Sequence, residues 1–287
     1  MKVKIWGCRG SIPSPGRETL IFGGESTCVE VISDSGESVV IDAGSGIRKL
    51  GNSLMKGKDI RHVTLLFTHA HWDHLLGFPF FRPAYSPEFS ISICGGPIPQ
   101  ETLMKYVSHQ MEPPYFPVDM SEMKAEFITG CHCDQGFCNH NPGGRIESIK
   151  CHSIALNHPN GGYGFKFLCD GKVICFFPDN EIRHKHKGGL TVKKYAAFCK
   201  NADLLIHDAQ YTEDDYTRTK SWGHSTFRDA VDLAIEAGAK RLGLFHHDPD
   251  RSDYDIKRQV DICREYISEQ KVNLDCFACA EGMVIKL

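Results

Sequence analysis

Apolar and polar residues alternate over residues 2–6, the two-residue period of a half-buried strand. The same signature returns at 27–33 and 38–41, on either side of the turn Asp34-Ser35-Gly36-Glu37, and predicts a strand pair. Apolar, β-branched runs at 62–68, 89–94, 203–207 and 241–246 predict buried strands, and the alternating stretches 145–156 and 163–177 predict further ones. Residues 272–278 and 283–286 read as closing strands. Between them, 46–55, 100–110, 190–200, 227–237 and 253–270 read as helices, the fourth stopped by Gly238. The run Met111-Glu112-Pro113-Pro114-Tyr115-Phe116-Pro117 is excluded from regular structure by its prolines and reads as a surface loop or as the lining of a cleft or dimer contact. No repeat or low-complexity linker divides the chain, so residues 1–287 are expected to form one domain of mixed strands and helices.

Composition narrows this only a little. A net charge of −3 implies no general polyanion-binding surface and leaves room for a local basic patch. No stretch is long and apolar enough for a spanning helix, and residues 1–6 enter a strand pattern without a signal-peptide core, so a cytoplasmic protein with no membrane partner is expected. In a reducing compartment the 13 cysteines are core thiols or metal ligands. The pair Cys276 and Cys279 lies in a strand-like run and is expected in the core.

The chemistry is concentrated after the strand at 62–68. Thr68-His69-Ala70-His71-Trp72-Asp73-His74 reads H-x-H-x-D-H, a dense set of imidazole and carboxylate donors of the kind that binds borderline divalent ions. Such a set suits a catalytic site with an open coordination position; a closed structural site would favour thiolates. More donors follow other apolar runs: His158 after Leu156-Asn157, Asp179 after 173–178, and His246 and His247 after 242–245. Asp42 ends the strand pattern at 38–41 in the turn Asp42-Ala43-Gly44.

In this order, Asp42, His69/His71/Asp73/His74, His158, Asp179 and His246 resemble the pattern of the metallo-β-lactamase superfamily. The resemblance implies an α/β fold, an αββα sandwich of two mixed sheets with helices on the outer faces and a metal pair at one edge. It implies that His69, His71 and His158 hold one ion, that Asp73, His74 and His246 hold the other, and that Asp179 bridges them. His247 is the alternative to His246, and Asp42 would orient a histidine or the loop. Two divalent ions, zinc or manganese, are the implied cofactors.

Two further segments narrow the branch. Leu204-Leu205-Ile206-His207-Asp208-Ala209 puts a carboxylate at a strand end, and Gly223-His224-Ser225-Thr226 opens the helix at 227–237. The free N–H groups there make that helix start a natural seat for phosphate. The pair resembles the H-E-A-T and H-S-T motifs of tRNase Z-like phosphodiesterases, with Asp208 in place of glutamate. The resemblance implies that Asp208 orients His224 toward the scissile phosphate and that Asp73 orients the attacking water. The tRNA-gripping arm of that branch commonly lies between the equivalents of His158 and Asp179, where this chain has room only for a hairpin. A small phosphodiester or cyclic nucleotide is therefore the expected substrate and nucleic acid the less expected one. A thioester or lactone hydrolase, or a tRNA 3′-processing endonuclease, are the alternatives. A homodimer is compatible with the resemblance.

The segment 130–142 is a Cys/His-rich insert. Cys131, Cys133 and Cys138, with His132 or His140, make a candidate structural zinc site; free surface thiols are the competing reading.

Overall fold

The computed structural model describes residues 1–57, 60–128 and 148–287, together with the backbone of 133–134 and 137–138. One sheet contains β1 (Lys2–Gly7), β2 (Cys28–Ile32), β3 (Ser38–Ile41), β4 (His62–Leu66), β5 (Ser90–Cys94), β6 (Glu126–Ile128) and β15 (Val284–Lys286), in the order β15-β1-β2-β3-β4-β5-β6. The other contains β7 (Cys133–Asp134), β8 (Phe137–Cys138), β9 (Lys150–Ala155), β10 (Tyr163–Cys169), β11 (Lys172–Phe177), β12 (Leu204–Asp208), β13 (Arg241–Phe245) and β14 (Asp275–Ala278), in the order β14-β13-β12-β11-β10-β9-β8-β7. Both sheets are mixed: β3 to β6 run parallel, as do β11 to β14, and the remaining pairs are antiparallel.

The strand period sorts side chains into layers. Val39 and Ile41 face the space between the sheets, where they meet Phe165, Phe167, Ile174, Phe176 and Ile206, while Val40 between them faces outward. In β11, Ile174 and Phe176 point into that central layer, and Cys175 and Phe177 point to the other face. Helices α1 (Ile47–Lys56) and α3 (Gln100–His109) cover the first sheet through Ile47, Leu50, Leu54, Leu103 and Val107. Helices α4 (Val192–Phe198), α6 (Phe227–Ala237) and α7 (Asp253–Glu269) cover the second through Tyr195, Leu233, Ala234, Ile256 and Val260. The result is the αββα sandwich expected from the resemblance.

Two short helices were not foreseen. α2 (Trp72–Leu75) lies inside the H-x-H-x-D-H motif, and α5 (Glu213–Thr219) follows β12. The latter is set by a capping box: Thr212 Oγ1 accepts from the Asp215 N–H, and Asp215 returns the bond to the Thr212 N–H. The ten described cysteines, Cys276 and Cys279 included, are buried and outside any disulfide. No helix among the described residues is long and apolar enough to cross a membrane.

Topology places the site. Parallel neighbours end at the same edge, so β3 and β4 of one sheet, and β11, β12 and β13 of the other, release their chains together. β9 is antiparallel to β10, which is antiparallel to β11, so it ends on that edge too. Asp42, the 68–74 motif, His158, Asp179 and His246 follow these strand ends, and Asp208 is the last residue of β12.

Candidate metal centre

After Leu66 the chain leaves β4 and is caught by Asp42, whose carboxylate accepts from Thr68 N, Thr68 Oγ1 and His74 Nδ1, each at 2.8 Å. Asp42 thereby fixes both the loop and one histidine, as expected of it. The first turn of α2 then turns Asp73 and His74 inward, where both are buried, and leaves Trp72 exposed.

Four histidines commit their outer nitrogen to the protein. His74 Nδ1 donates to Asp42, His158 Nδ1 to the Gly223 carbonyl at 2.8 Å, and His246 Nδ1 to Gln210 Oε1 at 2.9 Å. The single proton of Thr68 Oγ1 goes to Asp42, so that oxygen accepts from His69 Nδ1 at 3.0 Å. In each case the outer partner accepts from Nδ1, so Nε2 is the nitrogen turned to the cluster and available to a cation. His71 enters through Nδ1, 3.0 Å from His158 Nε2.

The inner atoms form two overlapping groups. One donor atom each from His69, His71, His158 and Asp179 lie within 4.8 Å of one another, and so do those of Asp73, His74, Asp179 and His246. Asp179 belongs to both. His246 Nε2 lies 3.0 Å from Asp73 Oδ2 and 3.4 Å from Asp179 Oδ2. His247, the alternative, points away: its Nε2 donates to the Cys279 carbonyl at 2.8 Å, and its ring packs on Phe22.

These donors fit a pair of cations. His69 Nε2, His74 Nε2 and Asp179 Oδ1 are buried and reach no hydrogen-bonding geometry, although His74 Nε2 and Asp179 Oδ1 are 3.1 Å apart. Three such orphans in one spot are expensive, about 1–3 kcal/mol each, unless a cation satisfies them. Burial holds His69 well below the ordinary imidazole range, lowers His71, and takes His158 down to about 3, so all three are neutral and ligand-competent at pH 7. Burial also disfavours a charged His74, but the negative charges of Asp179, Asp73 and Asp42 outweigh it and raise its pKa well above normal. Those carboxylates call for positive charge, which a divalent ion supplies.

Beside the cluster lies the second pair. Asp208 Oδ2 accepts from His224 Nδ1 at 3.0 Å, and its oxygens also take the N–H groups of Asn180 and Gln210, both at 3.1 Å. The His224 ring stacks on His246 with centroids 4.8 Å apart and meets His158 edge-on at 5.1 Å. Burial alone would depress the His224 pKa; the charge of Asp208, helped by Asp179 and Asp73, raises it to about 9. Without metal, the imidazole is therefore held in its protonated form at neutral pH.

The start of α6 differs from expectation. Thr226 Oγ1 accepts from the Asp229 N–H and Asp229 accepts from the Thr226 N–H, a closed capping box with Arg183 Nε donating to Asp229 at 2.6 Å. Ser225 Oγ is buried and donates to the Asn180 carbonyl. The helix start is thus satisfied internally, and His224 alone of that segment faces the cleft as a donor.

Three supporting residues were not anticipated. Gln210 receives His246 and donates on to Ser11 Oγ, and the Ser11 N–H donates to Asp73 Oδ2 at 2.9 Å. Glu181 is fully buried and accepts from His186 Nε2, Tyr216 Oη and the N–H groups of Ser221 and Gly223, at 2.7–2.9 Å. It clamps the loop that carries His224 and the carbonyl that receives His158. A β-carbon on Gly223 would sit 2.2 Å from His158 Nδ1, and its φ of +98° also requires glycine. The candidate zinc ligands of the cysteine insert, Cys131, Cys133, Cys138 and His140, have side chains outside the described residues.

A family model described as "Beta-lactamase superfamily domain" matches residues 37–247. The chain belongs to the beta-lactamase superfamily. Within that superfamily, it is 26% identical over 279 residues to a protein named Ribonuclease Z from Haloarcula marismortui, covering 86% of each chain. Among solved structures, the short form of human tRNase Z superposes with a TM-score of 0.66 at 21% identity, covering 100% of this chain and 99% of that one. Unliganded yeast PDE1 superposes with a TM-score of 0.68 at 13% identity, covering 100% and 99%. These superpositions establish the same superfamily fold.

Proposed function

We propose that this protein is a metal-dependent phosphodiesterase of small substrates, with one ion held by His69, His71 and His158, a second by Asp73, His74 and His246, and Asp179 between them. Two divalent ions, zinc or manganese, would supply a water acidified toward neutrality and positive charge against a phosphoryl oxygen. The observation that carries the reading is the Asp208–His224 pair, 3.0 Å apart and stacked against the donor cluster. A thioester or lactone hydrolase has no need of a second buried, protonated imidazole beside its metals; a phosphodiester places both a charged non-bridging oxygen and a leaving oxygen there. His224 donates to one of these, and Asp208 keeps its Nδ1 proton in place, so that Nε2 faces the cleft. Asp73, held by the Ser11 N–H, fixes the side of the cluster from which water attacks.

The second reading is RNA cleavage, supported by the relatives named Ribonuclease Z and tRNase Z. Against it, the interval from His158 to Asp179 contains the β10–β11 hairpin, and Asp248 and Asp250 line the cleft of about 870 Å³ above the cluster. Acidic side chains there repel a long polyanion. The test is metal content measured beside turnover of bis-p-nitrophenyl phosphate, cyclic nucleotides, a precursor tRNA, a thioester and a lactone. About two ions per chain with turnover of the small diesters is the expected result. Turnover of the thioester or lactone alone, or of the tRNA alone, refutes the proposal.

A further inference from the structure

The chain has three tryptophans. Trp6 is buried and donates to Glu30. Trp72 and Trp222 are 74% and 62% exposed, and both line the cleft above the donor cluster. Tryptophan carries the largest apolar face of any side chain, and leaving one in water is unfavourable unless it has something to cover. Two, placed in one cleft, are a binding feature more than a chance of surface composition.

Neither is held loosely. Trp72 opens α2 between His71 and Asp73, so the turn that aims those two inward aims it outward. Trp222 sits in the loop clamped by Glu181, between the bonded N–H groups of Ser221 and Gly223, and its own N–H donates to the Thr219 carbonyl at 3.0 Å. Each indole is therefore mounted within two residues of a group in the proposed machinery. The nearby rim balances its charges: Asp215 accepts from Arg251 at 2.7 Å and lies 3.7 Å from Arg218, and Asp248 and Asp250 line the same cleft. A substrate entering here gains stacking surface beyond the reacting phosphate and little attraction for further phosphates.

We propose that Trp72 and Trp222 form an aromatic subsite for the base of a mononucleotide-type phosphodiester, so that one flat ring lies against indole while its single phosphodiester reaches the donor cluster. The assignment rests on the phosphodiesterase reading above and adds the substrate class. Indole stacks on any base, so the subsite selects for the presence of a base over its identity.

Trp6 is buried and does not line the cleft, so it adds a constant background and a ligand-dependent change in tryptophan fluorescence reports on these two residues. The probe is adenosine 3′,5′-cyclic phosphorothioate, a slowly hydrolysed analogue, compared with dimethyl phosphate on the metal-loaded protein. Saturable quenching by the nucleotide and none by dimethyl phosphate is expected. Trp72→Ala and Trp222→Ala, both at exposed positions, should each weaken nucleotide binding about tenfold. They should raise KM for cyclic nucleotides by a similar factor and leave KM for a base-free cyclic phosphodiester unchanged. Quenching and KM unaltered in both variants, or KM raised equally for substrates with and without a base, overturns the subsite while the phosphodiesterase reading stands. Tryptophan-dependent quenching without turnover of any phosphodiester supports the subsite and removes the hydrolase reading. Tighter binding of a single-stranded oligonucleotide than of the mononucleotide overturns the assignment to mononucleotides.

Discussion

His158 donates through Nδ1 to the carbonyl oxygen of Gly223, 2.8 Å away and 65 residues along the chain. The same glycine gives its N–H to Glu181 at 2.9 Å. One backbone unit thus orients a proposed metal ligand and carries the chain into His224, so the two halves of the site are mechanically joined there.

Gly223→Ala should disturb both halves at once. The new methyl group collides with His158 Nδ1 and the φ of +98° is strained for alanine. Metal content measured by elemental analysis should fall below the wild-type value, together with a loss of stability of about 1–3 kcal/mol in denaturant melts. Full metal content in a stable variant would contradict the coupling.

Asp179 belongs to both donor groups, and His246 to one. Asp179→Ala should abolish binding of both ions, and His246→Ala should leave about one per chain. His247→Ala should keep both, because that ring bonds to Cys279 and not to the cluster. Chelation should lower the melting temperature of the wild type, since an ion at 100 times its Kd stabilises by about 2.7 kcal/mol. Added zinc should restore the melt in the wild type and fail to do so in Asp179→Ala.

His224→Ala should cut phosphodiester kcat by about 10²–10⁴ with metal content unchanged. In metal-free protein the His224 imidazole should titrate near 9 by NMR. That value lies above the unfolded imidazole value of about 6.5. The Asp208 pairing therefore stabilises the fold fully below about pH 6.5, and its contribution is lost as pH rises through about 9. Asp208→Asn should move the His224 titration to lower pH. A His224 pKa unmoved by that substitution would separate the two residues.

Glu181→Gln keeps the shape and removes the charge from the loop clamp. Burial works to raise the Glu181 pKa, but bonds from His186, Ser221, Tyr216 and Gly223 prevail and lower it. The sign follows: its stabilisation is present above the unfolded carboxylate value of about 4.3 and disappears as pH falls through the lowered folded value. At pH 7 the variant should be less stable by on the order of 3 kcal/mol, and the gap should close on acidification. Its kcat should fall with little change in KM for a base-free diester, since it acts through His224. A gap independent of pH would mean that lost packing, not the charge, sets the cost.

Much of this site could be read along the chain because each donor follows an apolar strand, and strands announce themselves locally. Asp42, the 68–74 motif, His158, Asp179 and His246 stand just past such runs, and Asp208 closes one. The closed start of α6 is also written there, as Thr226-x-x-Asp229, the spacing of a capping box, in the same segment whose histidine and hydroxyls suit a phosphate. Glu181 and Gln210 carried no such sign. Apart from His186, five residues on, the partners named for Glu181 lie 35 to 42 residues away, and those of Gln210 lie 36 and 199 away, so nothing in a neighbouring residue specifies them.

The amino-acid sequence by itself determined the run of mixed strands and helices and the residue types of the donors, because side-chain period and residue chemistry are properties of short stretches; the layered sandwich was implied by the family resemblance. Only the tertiary structure decided which donors meet and which nitrogen faces inward. It also separated His246 from its neighbour His247, and set two tryptophans, one opening α2 and one from a distant loop, in one cleft. Those outcomes depend on the register and parallel order of strands far apart in the chain, and on hydrogen bonds that exist only once both sheets have packed.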